Sequence, residues 1–488
     1  MHLPDLPNWL VGILALVFIL RIPSFFEPYY YGDEMIYMTL GQGVRQELTL
    51  YKDLHDNKPP LLYLTAAVAG NLFWFKIILA FWNLVTIILF YKLTKLILKE
   101  NDKARNISTI IFALLTTLPL LEGLTINSEL FMIVFTMGAF LILLRDNLKT
   151  KSIYFAGVLL GIGALYKIPA AFDLPIIIFY WIITLGLKNW KVVIKNSSTL
   201  LLGFVSPILL TFGWYFVRGA LPEYIKAAFM QNVGYLSSFR PGDIEKSFLV
   251  KNAPLLIRAG ILLLGSSTLF IFRKKLSKKF ILLSLWLLFS LFAITLSERP
   301  YPHYLIQAVA PILILLSIFF AEKSFEQSLV VLPLTIGFFV PFYYKFWFYP
   351  TTTYYVRFAK FATGVSTKPQ YFDGFSKNIN RDYKIAEFLS QSSLKTDKIF
   401  MYDPSSPSVY ALSKRMPPIK YVADYHINDY STKIDEAKKI TEALPKFIIL
   451  TNAHPYIELS PILRSRYLLI NQIEDANIYS RIDFAPNK

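Results

Sequence analysis

The chain has 488 residues, 55% of them hydrophobic and only 17% charged, against roughly 25% charged in soluble domains. It has no cysteine, which excludes disulfides, thiol nucleophiles and cysteine metal sites. The formal charge of +17 invites a nucleic-acid reading, which its distribution along the chain excludes.

Mean hydropathy is +0.45, and apolar runs near the ~20 residues that span a bilayer recur from Asn8 to Phe346. In chain order they are 9–25, 72–93, 107–121, 130–144, 153–166, 174–187, 199–217, 255–272, 280–296, 304–320 and 329–346. The first lacks a basic leader and a small-residue cleavage site, so it reads as a retained helix. Basic residues gather in alternate loops: Lys92, Lys95, Lys99, Lys103 and Arg105; Arg145, Lys149 and Lys151; Lys188, Lys191 and Lys195; Arg273, Lys274, Lys275, Lys278 and Lys279. This is the positive-inside pattern. It predicts a multi-pass protein of the cell (plasma) membrane with a cytoplasmic N-terminus and, after an odd number of spans, an extracytoplasmic C-terminal chain. The predicted domains are a membrane domain, 1–346, and an outer α/β domain, 347–488. The two long outer loops are 27–71 and 218–253.

The first loop, "YYYGDEMIYMTLGQGVRQELTLYKDLHDNKPPLLY", gathers Asp33, Glu34, Asp53, His55, Asp56 and Lys58. Ile36, Leu40, Val44 and Leu48 lie four apart, which predicts an interfacial helix with its apolar stripe toward lipid. Asp33 at its start suits an N-cap or a site role. Lys58 precedes Pro59, which biases its backbone to extended conformations; Pro59 suits the first turn of the next helix. Asp53, His55 and Asp56 read as loop polars or, by a weak spacing, as metal ligands.

Later span ends carry further polar groups: Glu122, Asn127 and Glu129 in "LEGLTINSELF", Lys167 in "LYKIPA", and Arg299, His303 and Tyr304 in "SERPYPHYLIQAVAP". A charge within a span costs ~2.5–3.5 kcal/mol on insertion scales. Snorkelling accounts for a single lysine; the set together points to a shared outer cavity. Beyond Tyr349, "DYKIAEFLSQSSL" and "STKIDEAKKITEAL" read as helices, and "DKIFMYD", "PKFIILTN" and "DANIYSRID" as strands. The basic-aromatic run "SKRMPPIKYVADYHINDY" offers either glycan stacking or a plain folded surface.

"GDE" after the first span, "DNKPPLLY", "NSELF", "LYKIPA" and "PHYLIQAVAP", in that order over residues 8–346, resemble the protein O-mannosyltransferase-like branch of the GT-C glycosyltransferases, to which the bacterial lipid A aminoarabinose transferase is related. The resemblance implies a polytopic α-helical GT-C-like membrane protein of about 11 transmembrane helices, with a small C-terminal extracytoplasmic α/β domain. It implies inverting transfer of one sugar from a polyprenyl-phosphate-linked donor to a lipid, glycan or protein acceptor on the outer face. Asp33 matches the family's acidic position and is the expected base, with Glu34 beside it. Lys58 matches the lysine of the Lys-Pro-Pro and is the first donor-phosphate ligand; Lys167, His303, Tyr304, Arg299 and Arg240 follow. Asp56, His55, Asn127 and Glu129 are further site candidates. Asn57 stands where the aminoarabinose transferases carry an acid, which argues against that donor. No cofactor is required, although a carboxylate pair is able to hold a divalent cation.

Three rival functions share parts of this pattern. A flippase or transporter of lipid-linked sugars needs polar groups deep in its spans, and the mid-span positions are almost purely apolar. A glycan polymerase or ligase differs only in the unit it moves. A scaffold explains the C-terminal chain but not "GDE" and "DNKPP".

Overall fold

A computed structural model describes residues 6–99, 101–234, 247–321 and 324–482. In the first part of the chain lie α1 (Asn8–Arg21), α2 (Gly32–Arg45), α3 (Leu61–Ala69), α4 (Leu72–Ile97), α5 (Asp102–Leu115) and α6 (Ser128–Leu143). Then come α7 (Thr150–Tyr166), α8 (Asp173–Leu185), α9 (Trp190–Val217), α10 (Leu221–Ile225) and α11 (Gln231–Gly234). After them run α12 (Phe248–Phe272), α13 (Lys278–Thr295), α14 (Ile306–Ala321), α15 (Phe325–Leu329), α16 (Val331–Tyr343) and α17 (Thr351–Ala362). The C-terminal chain adds α18 (Lys368–Asp373), α19 (Ile379–Ser392), β1 (Ile399–Tyr402), α20 (Ser406–Ser413), α21 (Asp424–Tyr430), α22 (Lys433–Ala443), β2 (Phe447–Thr451), α23 (Ser460–Arg466), β3 (Tyr467–Ile473) and β4 (Ala476–Arg481).

Two compact units result. One comprises 1–22, 76–217 and 228–351; the other comprises 23–75, 218–227 and 352–488.

The first unit is the helical bundle of a multi-pass membrane protein. Among the described residues eight helices are long and apolar enough to cross a membrane, and α6 and α7 are shorter apolar helices. Every apolar run of the sequence has a helix at its centre. In α13 78% of the apolar window is buried, in α12 only 11%, so α13 runs through the bundle while α12 lies at its rim with Leu249, Ile257, Leu264 and Ile271 exposed. Small residues set the closest contact. A Cβ on Gly157 of α7 would stand 2.1 Å from the Leu200 carbonyl of α9, and one on Gly203 would stand 2.0 Å from that of Tyr154. Backbones approach this closely in membranes only where side chains are absent.

The second unit joins the first loop to the C-terminal chain. Its sheet has the order β1-β2-β4-β3, with β1 and β2 parallel and the other pairs antiparallel. β1 is buried along its whole length, and β2 nearly so, as expected of strands covered on both faces. Arg381, 1% exposed, binds Asp382, Asp403, Asp475 and the Ser405 hydroxyl and so ties α19 to two ends of the sheet. The strands and helices expected beyond Tyr349 are present; β3, α17, α18, α20, α21 and α23 are additional.

One sequence expectation is overturned here. The stripe of α2 does not face lipid: Met35 to Gly43 are all buried. The Thr39 hydroxyl donates to Pro407 O at 3.0 Å and Gln42 Nε2 to Ala411 O at 2.8 Å, seating α2 on α20. A Cβ on Gly41 would come 2.6 Å from Ala67 N, so α3 closes another face. The stripe was real, but α3 and α20 pack on α2, and Ile36 and Leu40 are buried while Val44 and Leu48 are half-buried.

Candidate functional site

The charged first loop folds around Lys58. α2 starts at Gly32 with Tyr31 as its N-cap, so Asp33 and Glu34 lie in the first turn, where the helix dipole favours carboxylates. Asp33 is therefore not the N-cap. Its Oδ2 accepts a hydrogen bond from the Tyr37 hydroxyl at 2.9 Å and lies 3.4 Å from Lys58 Nζ. Lys58 Nζ is also 3.8 Å from Asp56 Oδ2 and 5.0 Å from the centre of the Tyr37 ring. One ammonium thus sits between two carboxylates that are 23 residues apart in sequence.

The backbone of Lys58 is fixed on both sides. Its N–H donates to Tyr63 Oη at 3.2 Å, and its carbonyl accepts from Tyr51 Oη at 2.9 Å. Tyr51 holds φ at 73°, a left-handed conformation that costs a bulky residue strain. Downstream, Pro59 and Pro60 stiffen the chain; α3 begins at Leu61 with Pro60 as N-cap, two residues later than Pro59 suggested.

The two carboxylates differ in exposure. The Asp33 side chain is 34% exposed and that of Asp56 only 2%. Asp56 accepts from Tyr63 Oη at 2.7 Å and from its neighbour Asn57 N–H at 2.7 Å. Burial opposes its ionisation, yet the Lys58 ammonium, with His426 and the Tyr63 hydroxyl adding, holds it below the usual carboxylate range. Burial, then the charges of Asp33 and Asp56, push the Tyr37 hydroxyl well above its ordinary value, so it stays a donor. Glu34 is fully buried.

Two residues absent from the sequence expectations complete this constellation. His426 Nε2 lies 3.6 Å from Asp56 Oδ1, and Tyr430 Oη accepts from Asn57 Nδ2 at 3.0 Å. Burial pushes His426 below its ordinary pKa despite Asp56. The ring is thus neutral near pH 7, and Lys58 is the cation that keeps Asp56 ionised. Both residues lie in the basic-aromatic run, whose Met416, Ile419, Tyr421, Val422 and Ile427 are buried. Most of that run is interior, with Tyr425 exposed; a histidine inside an aromatic stretch was its one sequence signal.

Asp53 is exposed and accepts from Thr49 N–H at 2.8 Å. Among the described residues no group of three His, Cys, Asp or Glu side chains could hold a metal ion. A divalent ion would compete with Lys58 for Asp33 and Asp56.

The helical bundle holds a second constellation, in its own unit. Lys167, C-cap of α7, pairs with Glu129 in the first turn of α6 and lies 4.0 Å from the Tyr304 ring centre. His303 Nδ1 pairs with Glu122, and His303 Nε2 is 4.0 Å from Glu129 Oε1. Asn127 Nδ2 donates to Glu122 Oε2 at 3.4 Å. Lys167 and Glu129 thus form an ion pair, and His303 and Asn127 are the partners of Glu122. Glu122 sits at φ 56° in a turn closed by Gly123, whose Cβ would stand 2.6 Å from the Thr117 carbonyl carbon. Buried Arg21 and Lys76 donate to Thr116 O and Leu124 O and hold the turn. Asp173, unforeseen in the sequence, accepts from Thr136 Oγ1 and from Gln307 Nε2, and Gln307 also donates to Pro169 O. This joins the segment after Lys167 to the helix after His303. Arg299 is exposed, and Arg240 lies outside the described residues.

This architecture combines a multi-pass helical bundle with a small four-stranded sheet in the C-terminal chain. Among solved structures it is similar to ArnT from Cupriavidus metallidurans bound to undecaprenyl phosphate, with a TM-score of 0.57 over 97% of this chain and 98% of that chain at 12% identity. The apo state of the same protein gives 0.57 over the same shares at 13% identity. At such identity the likeness is one of fold. No family model matches the sequence, and no curated protein matches it.

Proposed function

We propose that this protein is an inverting glycosyltransferase that moves one sugar from a polyprenyl-phosphate donor to an acceptor hydroxyl at the extracytoplasmic face of the membrane. The observation that carries the reading is Lys58 Nζ held between Asp33 and Asp56. The fold supports it, as does the undecaprenyl phosphate named with the ArnT structure.

The residues divide the chemistry. The half-exposed Asp33 accepts the proton of the acceptor hydroxyl as its oxygen attacks the anomeric carbon. The bond from that carbon to the phosphate oxygen breaks, and its electron pair leaves with the lipid phosphate. Lys58 stabilises the charge that grows there. Buried Asp56 keeps Lys58 protonated and in place, and Glu34 supports the first turn of α2. The alternation of basic loops along the sequence supports an extracytoplasmic C-terminal chain.

The test is transfer by purified protein in nanodiscs, with a panel of polyprenyl-phosphate sugars and an envelope extract as acceptor. Sugar appearing on an acceptor, lost in Asp33→Asn, supports the reading. Movement of intact donor across liposomes with no transfer would replace it with the flippase.

A further inference from the structure

Lys58 is set from downstream by two prolines and from upstream by three consecutive residues, each of which meets the 420–430 segment. His55 N–H donates to Lys420 O at 2.8 Å, and His55 pairs with Tyr421 in a single β-bridge. Its ring lies edge-on to Tyr430 at 4.8 Å, to Tyr421 at 5.2 Å and to His426 at 5.8 Å. Asp56 faces His426, and Asn57 donates to Tyr430. The Tyr421 hydroxyl in turn donates to Tyr430 O at 3.1 Å, which fixes the end of α21.

The polar atoms here are not what a purely structural contact would select. His426 is 1% exposed and His55 3%, and neither His426 Nδ1 nor His55 Nε2 has a hydrogen-bond partner among the described residues. A buried polar atom left without a partner destabilises a fold, and an apolar ring of the same shape avoids that loss. The imidazole of His426 is therefore kept for what its other nitrogen faces, the Asp56 carboxylate.

We infer that His426 and Tyr430 are positioning residues for the donor site: they hold Asp56 and Asn57 so that the Lys58 ammonium meets the phosphate of a polyprenyl-phosphate ligand. The inference rests on the proposed function, and it makes the C-terminal chain part of the donor site. Displacing a fixed binding group by about 1 Å is enough to cost up to a hundredfold. The polar loss and the packing loss separate in His426→Phe, which keeps the ring and removes the nitrogen.

The experiment measures binding of undecaprenyl phosphate to the full-length protein in nanodiscs, alongside thermal melting and the donor KM and kcat. His426→Phe is expected to melt at or above the wild-type temperature and yet bind the probe about tenfold or more weakly. Donor KM rises more than kcat falls. His426→Gln, which keeps a polar group facing Asp56, restores part of the affinity. Tyr430→Phe, which removes only the acceptor of Asn57, weakens binding by a smaller factor and serves if His426→Phe fails to fold. Wild-type affinity in folded His426→Phe and Tyr430→Phe overturns the positioning role while leaving the glycosyltransferase reading intact. A wild type that neither binds the probe nor transfers sugar overturns both.

Discussion

Acid is expected to destabilise the unit that contains the first loop, through His55. Burial, reinforced by His426, pushes its pKa down to about 3, against about 6.5 in an unfolded chain. Between those values the unfolded chain binds a proton that the folded chain refuses. The contribution is therefore fully present above about pH 6.5 and is lost as pH falls, at about 1.4 kcal/mol per pH unit. From pH 7.5 to 5.0 this amounts to about 2 kcal/mol, or about 4–8 °C in Tm for a unit of this size. The assay is thermal melting of wild type and His55→Phe across that range. His426, also pushed below its ordinary value by burial, acts in the same direction in both proteins, so the informative quantity is the difference between their slopes. The variant should lose less Tm on acidification. Equal losses in the two proteins would refute the claim that His55 is buried neutral.

Other perturbations test the packing and the charges around Lys58. Tyr63→Phe removes a donor to buried Asp56 and the acceptor of the Lys58 N–H, which should cost about 1–3 kcal/mol in unfolding measurements. Gly157→Ala forces a Cβ to 2.1 Å from Leu200 O and should lower stability by about 1–3 kcal/mol. Gly12→Ala, with open space around it, should melt like wild type. Lys58→Ala should stay folded while transfer falls about 10²–10³-fold, read in the sugar-transfer assay.

Hydropathy made the spans legible because each is a local property of twenty or so residues, and the C-terminal strands and helices were legible for the same reason. Contacts across the chain were not. The α2 stripe signalled burial but not its partner: Thr39 and Gln42 reach residues 368 and 369 positions away. The dependence of Asp56 on His426 and of Asn57 on Tyr430 spans a similar distance, and no periodicity carries it. β3 escaped notice because its alternation is broken by a bulge at Leu469/Asn471. The motif order around Asp33 and Lys58 singled out both residues; only coordinates show that one is the exposed partner of the other and that Asp56 is the buried one. Lys167 and His303 looked like cations open to a phosphate, and the bundle pairs them with Glu129 and Glu122.

The most direct test of the central claim is single-turnover transfer from a saturating polyprenyl-phosphate sugar, with donor binding measured in parallel, for wild type, Asp33→Asn and Lys58→Ala. If Asp33 is the base and Lys58 the phosphate ligand, folded Asp33→Asn binds donor at near wild-type strength but transfers about 10²–10⁴-fold more slowly, whereas Lys58→Ala loses both binding and transfer. Wild-type transfer rates in either folded variant would contradict the account.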